Sequence, residues 1–465
     1  MAETETAGAG DGLRDEGGGI SQAFLGALRK RIVDGDAAKI RAIADDLHEA
    51  DFADVLEALN AHERLATVKA LGPDFDVTVL TELDETIRDE LLEALPNKQL
   101  AEGLSDLDTD DAVHLLEDLD KPDQTEILSF IPAPERAALE RSLEYPEDSA
   151  GRLMQSDFIA VPPFWTVGNA IDHARETSDL PDEFYELFAV DPAYRLIGRL
   201  PLYRLLRSKR PAKIETIMDA EPHMVDVLMD QEEVARVFER YNLVSVPVID
   251  ESERLVGVIA SDDIVDVIEE EADEDMKRLA GVADEEEISD SILATARYRF
   301  PWLCLNLLTA IAASAVIALF EDVIAQIVAL AVLMPIVASM GGNAGTQSLT
   351  VAVRALATKE LTSANTRRII YREAVVGFLN GLGFAAVLGF GGFLWSQDMT
   401  IGFVLAAAMV INMLVAGLAG ILVPLTLQRL NFDPAISSAV FVTTVTDVVG
   451  FFAFLGLAAL AFGLL

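Results

Sequence analysis

Between about residues 22 and 148, apolar positions return at helical spacing, as in Val55-Leu-Glu-Ala-Leu59 and Ala112-Val-His-Leu-Leu-Glu-Asp-Leu119. Short turns such as Asp108-Thr-Asp-Asp111 and Pro132-Ala-Pro134 separate these stretches. A period near 3.6 places its apolar residues on one helix face, so the pattern predicts a run of short helices stacked into a small superhelix. From Leu153 to Glu271 the pattern becomes an internal repeat: Val190-Asp191, Leu196 and Gly198 return 59 residues later as Ile249-Asp250, Leu255 and Gly257. Each copy predicts strand, turn, strand and helix (Leu200–Leu206; Ser261–Ile268), preceded by another helix (Val167–Glu176; Glu232–Tyr241).

The last third is of another kind. A bilayer core about 30 Å thick is crossed by ~20 mostly apolar helical residues. Five runs are long enough: Pro301–Phe320, Val323–Val353, Ala374–Gln397, Met399–Gln428 and Pro434–Leu465. Pro335 and the Gly341-Gly342 pair predict a break or kink in the second. Arg297 and Arg299 precede the first run, Arg354, Lys359, Arg367, Arg368 and Arg372 lie between the second and third, and Arg429 lies between the fourth and fifth. The connections after the first and third runs hold no Lys or Arg. By the positive-inside rule the soluble region is cytoplasmic and Leu465 external.

Charge narrows the function. A formal net charge of -42 argues against nucleic acid, whose binding rests on Lys and Arg neutralising phosphates. Such acidity fits either a cation-sensing surface or a halophilic coat of hydrated carboxylates, and the scarcity of Lys, nine against 26 Arg, favours the second for most of the total. One cysteine, Cys304, excludes an intrachain disulfide, and five scattered His argue against a zinc enzyme. The Gly-, Glu- and Asp-rich start lacks an apolar core, so it is no signal peptide; residues 1–21 are expected to form a disordered acidic tail.

Two stretches carry candidate chemistry. Asp447 is the one charge inside the fifth run. An ionised carboxylate in hydrocarbon costs at least ~2.5 kcal/mol, so it faces a bundle interior or an aqueous path. The structural alternative is a carboxylate satisfied by Thr443, Thr444 or Thr446; the functional one is a mobile cation, since the uncharged runs offer no Lys or Arg. The segment Pro335 to Ser348 brings Asn343, Thr346, Gln347 and Ser348 to membrane depth, either as hydrogen-bonding glue between closely packed helices or as the lining of the same path. Mg²⁺ keeps several waters, which suits amides, hydroxyls and few carboxylates. In the soluble part, Asp262-Asp-Ile-Val-Asp-Val-Ile-Glu-Glu-Glu-Ala-Asp-Glu-Asp275 crowds like charges at i, i+3 and i+4. A solvated face explains such a run, and bound divalent cations would relieve it.

The tandem units resemble a pair of CBS domains, and the chain from about residue 22 onward resembles the MgtE family of Mg²⁺ channels. Its marks are Ser149-Ala-Gly-Arg-Leu-Met154, Gly341-Gly-Asn-Ala-Gly-Thr-Gln-Ser348, Val353-Arg-Ala-Leu-Ala357, Asp433-Pro-Ala435 and Thr446-Asp447-Val-Val-Gly450. The resemblance implies a multidomain chain: a tail (1–21), an all-α superhelical N domain (22–148), an α/β tandem CBS pair (149–275), a plug or connecting helix (276–299) and an all-α transmembrane domain of five helices (300–465). It further implies a homodimer with Asp447 of both subunits around a hydrated Mg²⁺, Asn343 lining the pore and Thr443 beside it. Cytosolic Mg²⁺ would close the pore through Asp230, Glu232, Asp263, Asp266, Glu271, Glu274, Asp275 and, at the cytoplasmic mouth, Asp433. Asn242 departs from the pattern, standing where the family has an acid. Some CBS pairs bind adenine nucleotides through a hydroxyl and an Asp; here Ala260 replaces the hydroxyl and Arg204 the first copy's Asp, which argues against ATP.

The expected partners are therefore Mg²⁺, membrane lipid and a second copy of the chain. The competing functions are a non-conducting membrane sensor and a transporter of Co²⁺ or Ni²⁺, the latter disfavoured by the shortage of His and Cys. No enzyme is expected, because no paired nucleophile and base or phosphate loop is visible.

Overall fold

The computed structural model describes residues 12–177, 180–181, 184–283, 286, 291–362, 364–430, 432–435 and 438–464. They form two compact units, divided between Glu271 and Ala272.

In the first unit, short helices from Gln22–Asp34 to Ala133–Ser142 stack in sequence order around one apolar core that includes Leu28, Leu56, Leu80, Leu91, Leu115 and Ile127, all essentially inaccessible to solvent. Helices this short are marginal alone, so the shared core holds them. Two buried arginines cap the ends of neighbouring elements. Arg64 donates to the carbonyls of Leu56 and Leu59 at 3.0 and 3.1 Å and pairs with Glu90; Arg88 pairs with Asp118 at 2.5 Å and donates to the Leu83 carbonyl. Of the segment expected as a tail, residues 12–21 are folded onto the helices. Leu13 is buried, Arg14 pairs with Asp51 and Asp54 at 2.6 and 2.5 Å, and Ser21 donates its amide to Leu13. One apolar side chain and one cation anchor this segment where composition alone suggested disorder; residues 1–11 lie outside the described residues.

The repeat folds as two matching three-stranded sheets. The first holds β1 (Ala160–Val161), β2 (Glu186–Val190) and β3 (Leu196–Pro201); the second holds β4 (Val225–Asp226), β5 (Ser245–Ile249) and β6 (Leu255–Ala260). In each, the short strand runs parallel to the middle one and the third antiparallel. Asp191 and Asp250 fasten the hairpin turns, each Oδ1 accepting two backbone amides. The recurring glycines have a packing reason: a Cβ on Gly198 would lie 2.7 Å from the Met218 sulfur, and one on Gly257 2.6 Å from that of Met154. The copies are joined turn to turn, with the amide of Leu196 donating to Glu253 and that of Leu255 to Tyr194. Tyr194 and Glu253, 59 positions apart, share the left-handed backbone conformation.

The helix that closes the second copy runs unbroken from Ser261 to Ala280. The connecting helix expected over 276–299 is thus divided between the end of this helix and the first turns of Ile292–Ala318; residues 284–285 and 287–290 lie outside the described residues.

In the second unit, five helices have the length and hydropathy to cross a membrane: Ile292–Ala318, Ala329–Ala357, Thr366–Ser396, Met399–Arg429 and Ser438–Phe462, named here the first to fifth spans. The fourth is central, packing on the second, third and fifth. Its contact with the third is glycine-lined, and a Cβ on Gly377, Gly381 or Gly402 would lie 2.6 to 2.9 Å from backbone of the facing helix. The expected break at Pro335 and Gly341-Gly342 is absent, and the second span is one continuous helix. The packed bundle holds the helix through both, and the fourth span's Asn412 donates its Nδ2 to the Val337 carbonyl.

Candidate cation path and acidic sites

Along one face of the second span, Asn343, Thr346, Gln347 and Thr350 join Met340 in lining an open groove of about 440 Å³. Positions 343, 346 or 347, and 350 share a side because they are three to four residues apart. All four polar residues are exposed in the single chain. The flank and the far side of this helix are spent on packing: an ideal Cβ on Gly342 would touch the Thr443 methyl at 3.6 Å, and one on Gly345 would overlap Val442. The fifth span therefore lies tightly against the second at the level of Asn343.

Asp447 lies one helical turn beyond Thr443, partly buried. The three threonines proposed as its structural partners are engaged with their own helix. Thr443 donates to Ala439 and Val440, Thr444 to Val440 and Thr446 to Thr443, at 2.6 to 3.0 Å. Each hydroxyl has one proton to give, so none serves the carboxylate. Among the described residues Asp447 has no protein hydrogen bond or ion pair, and it is not among the residues lining the groove with Asn343.

Between the fourth and fifth spans, Asp433 is not free. Its Oδ2 accepts from Arg278 at 2.5 Å and its Oδ1 from the Ala435 amide at 2.7 Å. Arg278 also pairs with Glu274, one turn earlier. A single arginine thus holds two of the expected regulatory acids.

In the first unit the acids form two neighbourhoods. Asp263 accepts the Ala260 amide at 3.0 Å and faces the carboxyl of Asp110. The Asp110 Oδ1 is buried and without a partner among the described residues. Burial, then the nearby charge of Asp263, pushes Asp111 up to about 6. Burial likewise raises Asp263 to about 6 and Asp110 well above the carboxylate range. Glu82 and Asp266 face the same neighbourhood and are also raised by burial. In the second neighbourhood, Glu271 accepts from Gln231 at 2.9 Å and is raised by burial and by Glu232, Asp230 and Asp148; Glu270 is raised by burial and by Asp266 and Asp148. Asp230 caps its helix through the Glu232 amide, and Glu232 pairs with Arg236 at 2.9 Å. Asp275 engages in contacts of its own.

The expected acids are crowded, yet among the described residues no three Asp, Glu, His or Cys side chains converge as a metal cage. The sequence reading missed Asp110, Asp111, Glu82, Asp148 and Glu270. The acidic turn Asp108-Thr-Asp-Asp111 was legible as a helix start, but its position opposite Asp263 follows from a fold contact more than 150 positions away.

Five apolar helices with an unpaired carboxylate and a polar stripe, preceded by a helical domain and a CBS pair, define the class of multi-pass cation transporters with a large soluble N-terminal region. Residues 334–457 match a family described as a divalent cation transporter, residues 47–148 match the MgtE intracellular N domain and residues 214–270 match the CBS domain. The chain belongs to the MgtE family of magnesium transporters, membrane proteins with a cytosolic N-terminal region. It is 31% identical to the magnesium transporter MgtE of Bacillus subtilis over 91% of this chain and 94% of that protein. Against the magnesium transporter MgtE of Thermus thermophilus the identity is 32%, over 93% of this chain and 97% of the relative. A solved structure of the cytosolic domain of the Mg²⁺ channel MgtE in complex with ATP is 29% identical, with a TM-score of 0.49 over 52% of this chain and 99% of that one.

Proposed function

We propose that this protein is a homodimeric Mg²⁺ channel that admits hydrated Mg²⁺ between two copies of its transmembrane unit and closes when cytosolic Mg²⁺ is plentiful. The observation that carries the reading is the carboxylate of Asp447, placed in an apolar helix with no protein partner among the described residues. Hydrocarbon does not solvate that charge, and a passing divalent ion does. Asn343 and Thr443 would meet the ion's water shell, because a cation that dehydrates reluctantly is recognised through its waters. The arginines between the second and third spans support a cytoplasmic loop there and an external Leu465, by the positive-inside rule.

Closure would draw on Asp230, Glu232, Asp263, Asp266, Glu271, Glu274, Asp275 and Asp433, joined by Asp110 and Asp111. Without divalent ions these acids repel one another; with them, the repulsion becomes bridging. A ligand shifts a conformational equilibrium only through its different affinity for the two states, and sites formed between facing acids have that property. At the CBS pair, Asp263 is engaged with Ala260 and Asp110, which supports a metal role for it over a nucleotide one.

The test is Mg²⁺ influx into proteoliposomes. Asp447→Ala should lower influx by roughly tenfold or more, equivalent to about 1.4 kcal/mol of lost ion binding. Influx equal to wild type would remove the proposed path. Raising Mg²⁺ on the cytoplasmic side through the millimolar range should slow wild-type influx, and an unchanged rate would remove the gating.

A further inference from the structure

Asn412, in the middle of the fourth span, is completely buried. Its Nδ2 donates to the Val337 carbonyl of the second span at 2.8 Å, while its Oδ1 meets no donor among the described residues. Burying half an amide unpaired is destabilising, and a leucine there would avoid it. Two glycines make room for this side chain. A Cβ on Gly341 of the second span would overlap the Asn412 amide, and one on Gly450 of the fifth would lie 2.9 Å from its Nδ2. Gly341 is two residues before Asn343, and Gly450 three after Asp447. One amide is therefore wedged between the two helices that carry the polar residues of the path, each thinned to glycine where it touches the wedge.

We propose that Asn412 is a positioning residue for ion selection: it sets how the second and fifth spans stand against each other, and hence where Asn343 and Asp447 are held on the passage between the two copies, without touching the ion. The inference rests on the channel reading above. Close-packed helices do not deform continuously, so a changed wedge changes the spacing in a step. A wider passage admits an ion with a larger or looser water shell, and Ca²⁺ takes more ligands in looser geometry than Mg²⁺. The amide suits the task because its hydrogen bond to Val337 fixes its rotation as well as its depth, which an apolar side chain of the same size does not do.

The experiment compares Mg²⁺ and Ca²⁺ influx in proteoliposomes for wild type, Asn412→Leu, Asn412→Ala, Gly450→Ala and Asn412→Ala/Gly450→Ala, with thermal unfolding of each and Asp447→Asn in parallel. Asn412→Leu should shift the Ca²⁺/Mg²⁺ influx ratio by roughly fivefold or more, as contacting residues commonly couple to that degree. Gly450→Ala alone should lower Mg²⁺ influx, and removing the Asn412 amide in the double variant should recover part of it. Folded Asn412 variants with the wild-type ion ratio, or a double variant that shows only the sum of the two losses, overturn the proposal. Should the Asn412 variants fail to fold, Gly341→Ala and Gly450→Ala decide, because both crowd the amide and both must shift the ratio. Asp447→Asn separates the readings: wild-type influx there removes the path itself, whereas a large loss there beside an unmoved ratio at Asn412 removes only the positioning role.

Discussion

A carboxyl group that is buried, and then pressed among other carboxyls, holds its proton more tightly, and Asp111 gives that rule a measurable form. Its raised value, about 6 against an ordinary 3.8, means the folded protein binds more protons than the unfolded chain between those limits. Stability conferred by the neutral form is thus full below about pH 4 and is lost as pH rises through about 6. In EDTA, full-length protein in detergent should melt at progressively lower temperature over that window. Asp111→Asn should flatten the dependence by roughly 2 to 3 kcal/mol, about 1.4 for each pH unit of the shift. A melting curve equally steep in the variant would show that Asp111 does not carry the effect. Adding millimolar Mg²⁺ at pH 7.5 should restore the lost stability in wild type and do so less in the variant. At this scale Asp447 and Asn343 could be picked out as candidates from the sequence, because a charge and an amide stand out among apolar neighbours. Asp110, Asp111 and Asn412 could not, since their meaning depends on Asp263, Gly341 and Gly450, all far along the chain.

Among elements, legibility followed periodicity. The five spans, both copies of the repeat and the helical N-terminal stack were all readable, because each rests on a long pattern that one misplaced residue does not disturb. The departures came where a few residues decide. Leu13 and Arg14 extend order into a stretch whose composition suggested none, and Pro335 leaves its helix unbroken because packing in the bundle outweighs local propensity. The glycines between the third and fourth spans give the sharpest test of that packing. Gly377→Ala would bring a Cβ within 2.6 Å of the Met413 carbonyl, and overpacking of this kind costs about 1 to 3 kcal/mol. Gly383→Ala and Gly391→Ala meet nothing within 4 Å and should be neutral or stabilising by up to about 1 kcal/mol. Thermal unfolding in one detergent would rank the three, and equal effects would discount the close approach.

Across the whole molecule, charge and apolarity are divided along the chain, with the acids concentrated before residue 300 and the apolar runs after it. Under the proposed function, that division would let one ion act twice, as cargo in the second unit and as ligand to the acids of the first. Asp263→Asn and Asp111→Asn should therefore raise the cytosolic Mg²⁺ needed for closure several-fold, each lost carboxylate contributing on the order of 1 kcal/mol to the difference between open and closed states. Maximal influx at low cytosolic Mg²⁺ should be unaffected, and a fall there would place these acids in conduction instead of control.

The crossed bonds from Leu196 to Glu253 and from Leu255 to Tyr194 carry one more consequence. Each sheet borrows its closing amide contact from its sister, so neither can come apart without orphaning a group in the other, and the two should melt as one. A fragment holding a single copy would seek what it had lost by embracing a twin of itself.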